Sequence, residues 1–173
     1  MSTSRVESIA RRIPAWSMRS GVVTQAGLGI LTSLVFACII GYLATPYMAV
    51  ATLSYGLLMV GLLMRRQRTA HVALMSTAIA GDLGLVLLLE LQRDAINTAV
   101  SFSLSPLQQA HIGVSTIATV LYIPTLYFGI LRSRGALDGR GRARHLTFGL
   151  LAFLFRTLGF IFMFSLLGHH LHS

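Results

Sequence analysis

The stretch "RTAHVALMSTAIAGDLGLVLLLELQRD", from Arg68 to Asp94, decides the class of fold. Its apolar run matches the ~20 residues that an α-helix needs to cross a ~30 Å hydrocarbon core. The run nevertheless has a histidine at its start, an aspartate near its middle and a glutamate at its end, which are His71, Asp82 and Glu90. The stretch therefore predicts a membrane-spanning helix whose polar groups have either a partner or a task.

The composition extends this prediction to the whole chain. Of its 173 residues, 54% are hydrophobic and 11% are charged, against roughly 25% charged residues in an average soluble domain. We predict an all-α integral membrane bundle of five transmembrane helices in a single domain, residues 21–168. The spans are Gly21–Leu43, Tyr47–Met64, Ala70–Leu91, Leu107–Leu131 and Leu146–Leu167. A basic tail, residues 1–20, precedes them as an interfacial amphipathic helix or a disordered segment, and a histidine-containing tail, residues 169–173, follows.

The distribution of arginine predicts the orientation of the bundle. The formal net charge is +9, but the arginines lie in short segments between apolar runs, which favours the lipid bilayer over nucleic acid as the partner. The basic clusters are in the N-terminal tail, in the second connection (Arg65, Arg66, Arg68) and in the fourth (Arg132, Arg134, Arg140, Arg142, Arg144). All three fall on one side, so we expect a multi-pass membrane protein with its N-terminus cytoplasmic and its C-terminus outside.

Two ionisable residues lie well inside the predicted spans, and their spacing predicts that they can meet if the third and fifth helices are neighbours. His71 and Asp82 are eleven residues apart in the third span, and His145 and Arg156 are eleven residues apart in the fifth. Eleven residues make about three helical turns and roughly 16 Å of rise, so Asp82 and Arg156 should lie at one depth in parallel helices. One interpretation is a structural ion pair. The other is that the two residues form a proton or anion relay, or that Arg156 binds a haem propionate, a carboxylate or a quinone oxygen.

The same spacing pairs His71 with His145 at the cytoplasmic rim. Each histidine alone is typical of an interfacial side chain. Two imidazoles on neighbouring helices, however, are what a bis-histidine haem, a copper site or a zinc site needs. Met75, one turn further along from His71, is a candidate soft ligand or a packing residue.

A second candidate site lies at the outer ends of the spans. Glu90 ends the third span, His111 begins the fourth, and His169, His170 and His172 follow the fifth. Carboxylate and imidazole groups suit a divalent metal ion. The alternative is that these are solvated helix ends and a polar tail. Enzyme motifs such as a P-loop, G-x-G-x-x-G or HExxH are absent from the sequence, which argues against hydrolytic or nucleotide chemistry.

Three stretches carry a resemblance to a known family. "RTAHVALMSTA", "QQAHIGVSTIATVLYIPTLYFGILR" and "RARHLTFGLLAFLFRTLGFIFMFSLL" resemble the small bacterial multi-span membrane proteins of the YozB/CtaM type, over roughly Ala51 to Leu167. The resemblance implies an accessory or assembly factor of the respiratory chain in a bacterial inner membrane, needed for maturation of a haem-copper terminal oxidase. It maps the family's histidines onto His71, His111 and His145. A further family histidine, at the outer end of the third span, is replaced here by Glu90.

Three classes of function therefore remain open from the sequence. The first is an assembly factor that holds haem or copper at rim histidines, with a terminal oxidase as its partner. The second is an electron-transfer cytochrome of the b type, or a quinone-reactive subunit. The third is a purely structural subunit of a membrane complex, in which Asp82 and Arg156 only fix the packing. The oligomeric state is not predicted.

Overall fold

The computed structural model describes residues 15–94, 97, 100, 101 and 103–171, and the side chains of all of these except 15–20, 22, 93 and 166–171. This part of the chain contains five long α-helices and no strand. They are α1 (Ala15–Leu43), α2 (Pro46–Leu63), α3 (Arg68–Arg93), α4 (Pro106–Ser133) and α5 (Gly139–Leu171). A short 3₁₀ turn, Met64–Arg66, joins α2 to α3. Most of the predicted basic tail, residues 1–14, lies outside the described residues.

Local sequence signals fix where the helices begin and end. A hydroxyl residue followed by proline starts two of them, because proline suits the first helical position and the hydroxyl caps a free N–H. The Thr45 side chain accepts from the Met48 amide before α2. Ser105 and Gln108 form a reciprocal capping box before α4. At the other end of α4, Gly135 adopts a left-handed φ of 73° that lets the chain turn sharply toward α5.

The helices pack as two groups that meet in the middle. α1 packs on α2 and α2 on α3, while α4 and α5 form a tight antiparallel pair. The groups join through α2 with α5 and through α3 with α4. Close approach inside the groups relies on small residues, as it commonly does in membranes. A Cβ on Gly29 of α1 would lie 2.8 Å from Val60 Cγ2 of α2, and a Cβ on Gly81 of α3 would lie 2.6 Å from Ser54 Oγ of α2.

Other glycines of the long helices do not lie at a close contact between helices. A Cβ added to Gly27, Gly84 or Gly113 would meet nothing within 4 Å. Hydropathy does not distinguish the lipid-facing side of an apolar helix from the side that contacts a neighbour, so the sequence does not separate these glycines from Gly29 and Gly81.

The interior is small and the apolar exterior is large. The buried cluster draws on four helices and consists of Leu58, Ala78, Ile79, Tyr122 and Ala152. Large apolar side chains are exposed on every helix, including Leu31, Leu63, Leu87, Ile123 and Leu150. All five helices are long and apolar enough to cross a membrane. Such an apolar exterior is what lipid contact requires of a multi-pass protein.

Candidate functional site

Three helices each contribute one polar side chain to a cluster at the centre of the bundle. Asp82 of α3 and Arg156 of α5 form an ion pair, with Arg156 Nε donating to Asp82 Oδ2 and Nη2 donating to Oδ1, both at 2.7 Å. Tyr122 of α4 donates its hydroxyl proton to Asp82 Oδ2 at 2.7 Å. We call these three residues the central clamp. Its carboxylate accepts three hydrogen bonds, so the charge of Asp82 is fully compensated.

The central clamp is shielded from the surroundings. Asp82 is 6% exposed, Arg156 8% and Tyr122 3%. Charges buried to this degree are stable only when they are paired and hydrogen-bonded, because desolvation otherwise outweighs their attraction. The bidentate geometry of the guanidinium on the carboxylate meets that condition. The clamp also connects α3, of one helix group, to α4 and α5, of the other.

A second contact joins the two groups beside the clamp. Tyr55 of α2 stacks on Phe160 of α5, with ring centroids 4.2 Å apart. Its hydroxyl lies 3.2 Å from Thr157 Oγ1, in the turn of α5 that also holds Arg156. Aromatic stacking and a hydrogen bond thus fix how α2 and α5 are placed relative to one another.

His71 lies near the start of α3 and is anchored to α2. Its Nδ1 is 2.7 Å from the backbone oxygen of Gly61, so Nδ1 carries the proton and donates it, because a carbonyl can only accept. The lone pair is then on Nε2, which is the nitrogen left to bind a metal. Met75 packs one turn further along, at the same close contact between α2 and α3, where a Cβ on Gly61 would lie 2.9 Å from its sulfur.

His145 lies at the same end of the bundle, on α5. Its ring packs on α4, where a Cβ on Gly129 would lie 3.4 Å from Cε1, and it lies beside the backbone carbonyl of Thr125. Its buried Nδ1 nevertheless makes no hydrogen bond of normal geometry with any described residue. His145 and His71 lie at the same end of the bundle, and the two imidazoles are within electrostatic range of one another. The structure therefore places the two rim histidines at one end, on α5 and α3.

His111 is anchored in the same way at the opposite end of the bundle. Its Nδ1 is 2.8 Å from the backbone oxygen of Gly159, which links the start of α4 to α5. The close approach of α4 and α5 at this level is visible at Gly159, where a Cβ would lie 2.6 Å from Ser115 Oγ. His111 thus points into the interface of α4 and α5.

The described side chains do not by themselves form the outer metal site that the sequence predicts. No group of three His, Cys, Asp or Glu residues there is arranged to hold a metal ion. Glu90 lies in the last turns of α3 and His111 is directed at Gly159. The side chains of His169 and His170, and the whole of His172, lie outside the described residues. The outer site therefore stays a prediction.

Two contributors to the site were missed by reasoning from the sequence. Tyr122 and Tyr55 both appear in the sequence as ordinary members of apolar spans. A buried tyrosine hydroxyl usually has a hydrogen-bond partner, so any tyrosine in a span is a candidate donor to Asp82 or to another buried polar group. The sequence alone does not say which of the five tyrosines faces the interior.

Comparisons of the chain with protein-family models, with curated proteins and with solved structures give no match.

Proposed function

We propose that this chain is a multi-pass accessory protein of the respiratory chain in a bacterial inner membrane, which holds haem through His71 and His145 during maturation of a haem-copper terminal oxidase. Copper at the same two imidazoles is the alternative cargo. The respiratory role rests on the resemblance of its histidine-containing stretches to the YozB/CtaM type. The binding role rests on the geometry of the two histidines.

One observation carries the binding role. His71 donates its Nδ1 proton to the Gly61 carbonyl at 2.7 Å, which fixes both the ring orientation and the tautomer and leaves Nε2 as a ligand. His145, on α5 at the same end of the bundle, has a buried Nδ1 without a hydrogen bond of normal geometry to the described residues. Imidazoles are the groups that haem iron commonly takes as axial ligands, and helix bundles hold cofactors through side chains of this kind. The donor chemistry of the two side chains therefore suits haem.

The roles of the neighbouring residues differ from the sequence expectation. Arg156 uses Nε and Nη2 on Asp82, so we assign it to holding α3 and α5 in place and not to a haem propionate. Met75 packs between α2 and α3 beside the buried cluster, and we assign it to packing. When bound, haem supplies a redox-active iron. The chain contributes ligand orientation and an apolar surrounding.

The arginine distribution supports the proposed orientation. The connections from α2 to α3 and from α4 to α5 carry the basic clusters and lie at one end of the bundle, since the helices alternate in direction along the chain. Under the positive-inside rule this end faces the cytoplasm, with His71 and His145 close to it. Reporter fusions after Leu43 and after Ser133 test the orientation, which requires an outside signal for the first and a cytoplasmic signal for the second.

The binding role is tested on detergent-purified protein. Haem titration followed by absorption spectroscopy, together with copper analysis, is expected to show binding by the wild type and its loss in His71→Ala and His145→Ala. His111→Ala is the matched control for haem binding, because His111 is also anchored by Nδ1 to a helix carbonyl but lies at the other end. Equal binding by all four proteins would remove His71 and His145 as ligands.

The respiratory role needs a separate test in cells. A strain lacking the gene should lose activity of its haem-copper oxidase, and a wild-type copy should restore it. We expect His71→Ala and His145→Ala to reach the membrane at normal levels without restoring activity. Full oxidase activity with both variants would contradict the assembly role. Haem retained at one per chain through purification would instead favour an electron-transfer cytochrome.

A further inference from the structure

The basic end of the bundle contains a groove that the histidine site does not use. It is lined by Arg68, Arg132, Gly135, Leu137 and Arg142, and it has a volume of about 290 Å³. We call it the arginine groove. It lies where the start of α3, the end of α4 and the start of α5 come together.

The chain builds this groove from interlocking helix ends. Gly135 and Ala136 donate their amides back to Arg132 and Leu131 at 3.2 and 3.0 Å, which folds the chain over the end of α4. Arg68 Nη2 donates to the Arg132 carbonyl at 2.9 Å and also to the Ser133 carbonyl. The first turn of α3 is thereby fixed to the last turn of α4.

The side chains that line the groove make it positive. Asp138, beside it in sequence, is engaged at the start of α5, where its Oδ1 accepts from the Gly141 amide at 2.6 Å. The five lining residues of the groove include three arginines and no carboxylate. Arg68 makes its carbonyl bonds through Nη2 alone, whereas a guanidinium carries donors on three nitrogens. Arg68 is also the first residue of α3, and a helix N-terminus favours anions.

We propose that the arginine groove binds a phosphate group, carried either by an anionic phospholipid or by a soluble phosphate compound. Planar guanidinium groups bind phosphate oxygens in a bidentate fashion. Basic pockets between transmembrane helices near the membrane surface are typical sites for anionic headgroups. The exposed side chains of Ile130 and Leu146, in the turns next to the groove, provide an apolar surface for acyl chains.

The test is thermal unfolding of the purified full-length protein with three probes. These are micelles containing phosphatidylglycerol, micelles containing zwitterionic phosphatidylcholine, and sodium pyrophosphate. Stabilisation by phosphatidylglycerol alone identifies a lipid as the source, and stabilisation by pyrophosphate identifies a soluble compound. Phosphatidylglycerol and phosphatidylcholine acting equally, with pyrophosphate inactive, would overturn the proposal.

Substitutions of Arg142, with Arg140 as the control, decide whether the arginine groove binds the active probe. Arg142→Gln should raise the concentration of the active probe needed for half-maximal stabilisation by about fivefold, the loss expected for one arginine near a membrane surface. Arg142→Lys keeps the charge and should lose less. Arg140→Gln removes an exposed arginine of the same helix turn that does not line the groove, and it should behave as the wild type. An equal shift in Arg142→Gln and Arg140→Gln would mean that only the general charge of this end matters. None of these variants alters His71 or His145, so the result is independent of the proposed haem site.

Discussion

Replacing Asp82 by asparagine tests the central clamp most sharply. The substitution keeps the volume of the side chain but removes its charge, and it turns an acceptor of three hydrogen bonds into a group with a single acceptor oxygen. Arg156, at 8% exposure, would remain charged in the interior without a counter-ion. Breaking one partner of a buried ion pair costs about 3–5 kcal/mol. We expect the free energy of unfolding to fall by that amount.

Two further variants separate the charge from the hydrogen bonds. Tyr122→Phe removes one donor from Asp82 and leaves the ion pair intact, so it should cost only about 1 kcal/mol, near the usual value for a hydrogen bond inside a membrane protein. The double substitution Asp82→Leu with Arg156→Met removes both charges and replaces them by apolar groups. It should cost about 1–3 kcal/mol, because replacing both charges of a buried pair is often neutral, whereas the buried Tyr122 hydroxyl loses its acceptor.

The assay is unfolding by sodium dodecyl sulfate in mixed micelles, followed by far-ultraviolet circular dichroism on the wild type and the variants. The expected order of stability places Asp82→Asn lowest, the double variant above it, and Tyr122→Phe closest to the wild type. If Asp82→Asn were as stable as the wild type, Arg156 could not be buried with Asp82 as its counter-ion. If the double variant were less stable than Asp82→Asn, the pair would contribute net stability and the desolvation reasoning would be refuted.

Two pairs of substitutions test how the helices pack, and both use the same unfolding assay. Gly29→Ala places a Cβ 2.8 Å from a γ-carbon of the buried, stiff Val60, and overpacking of this kind costs about 1–3 kcal/mol. Gly27→Ala is its control, because an added Cβ there meets nothing within 4 Å and should change the free energy of unfolding by less than about 1 kcal/mol. Equal effects would contradict the packing of α1 on α2. Tyr55→Ala removes the ring stacked on Phe160 and should cost about 3 kcal/mol. Tyr55→Phe keeps the stacked ring and should cost about 1 kcal/mol or less. An equally small loss in both would mean that the ring of Tyr55 does not join the helix groups.

Much of the fold could be predicted because a helix that can span lipid appears in the sequence as one continuous apolar run. A run of ~20 apolar residues has few structural alternatives in a membrane, and the five runs correspond to the five long helices. The helix bounds were less predictable. α5 begins at Gly139 and not at Leu146, since Asp138 caps an arginine-rich first turn that hydropathy excludes. Apolar runs mark the membrane-embedded part of a helix and not its ends.

The site was predictable only where chain spacing constrains depth. Asp82 and Arg156 fall at one level because each lies eleven residues beyond a rim histidine, and the structure joins them. The third residue of the central clamp, Tyr122, could not be predicted, because the helix that supplies it depends on packing angles that no local sequence pattern encodes. The anchoring of His71 by the Gly61 carbonyl is also invisible in sequence, since backbone groups carry no residue signature.

The most direct test of the proposed function is one titration. Detergent-purified wild type, His71→Ala, His145→Ala and His111→Ala are titrated with haem, and the Soret absorbance is measured against protein concentration, with copper content determined on the same samples. Binding by the wild type and His111→Ala, and its loss in His71→Ala and His145→Ala, is the predicted result. A wild type that binds neither haem nor copper, or unchanged binding in His71→Ala and His145→Ala, would contradict a cofactor site at the rim histidines.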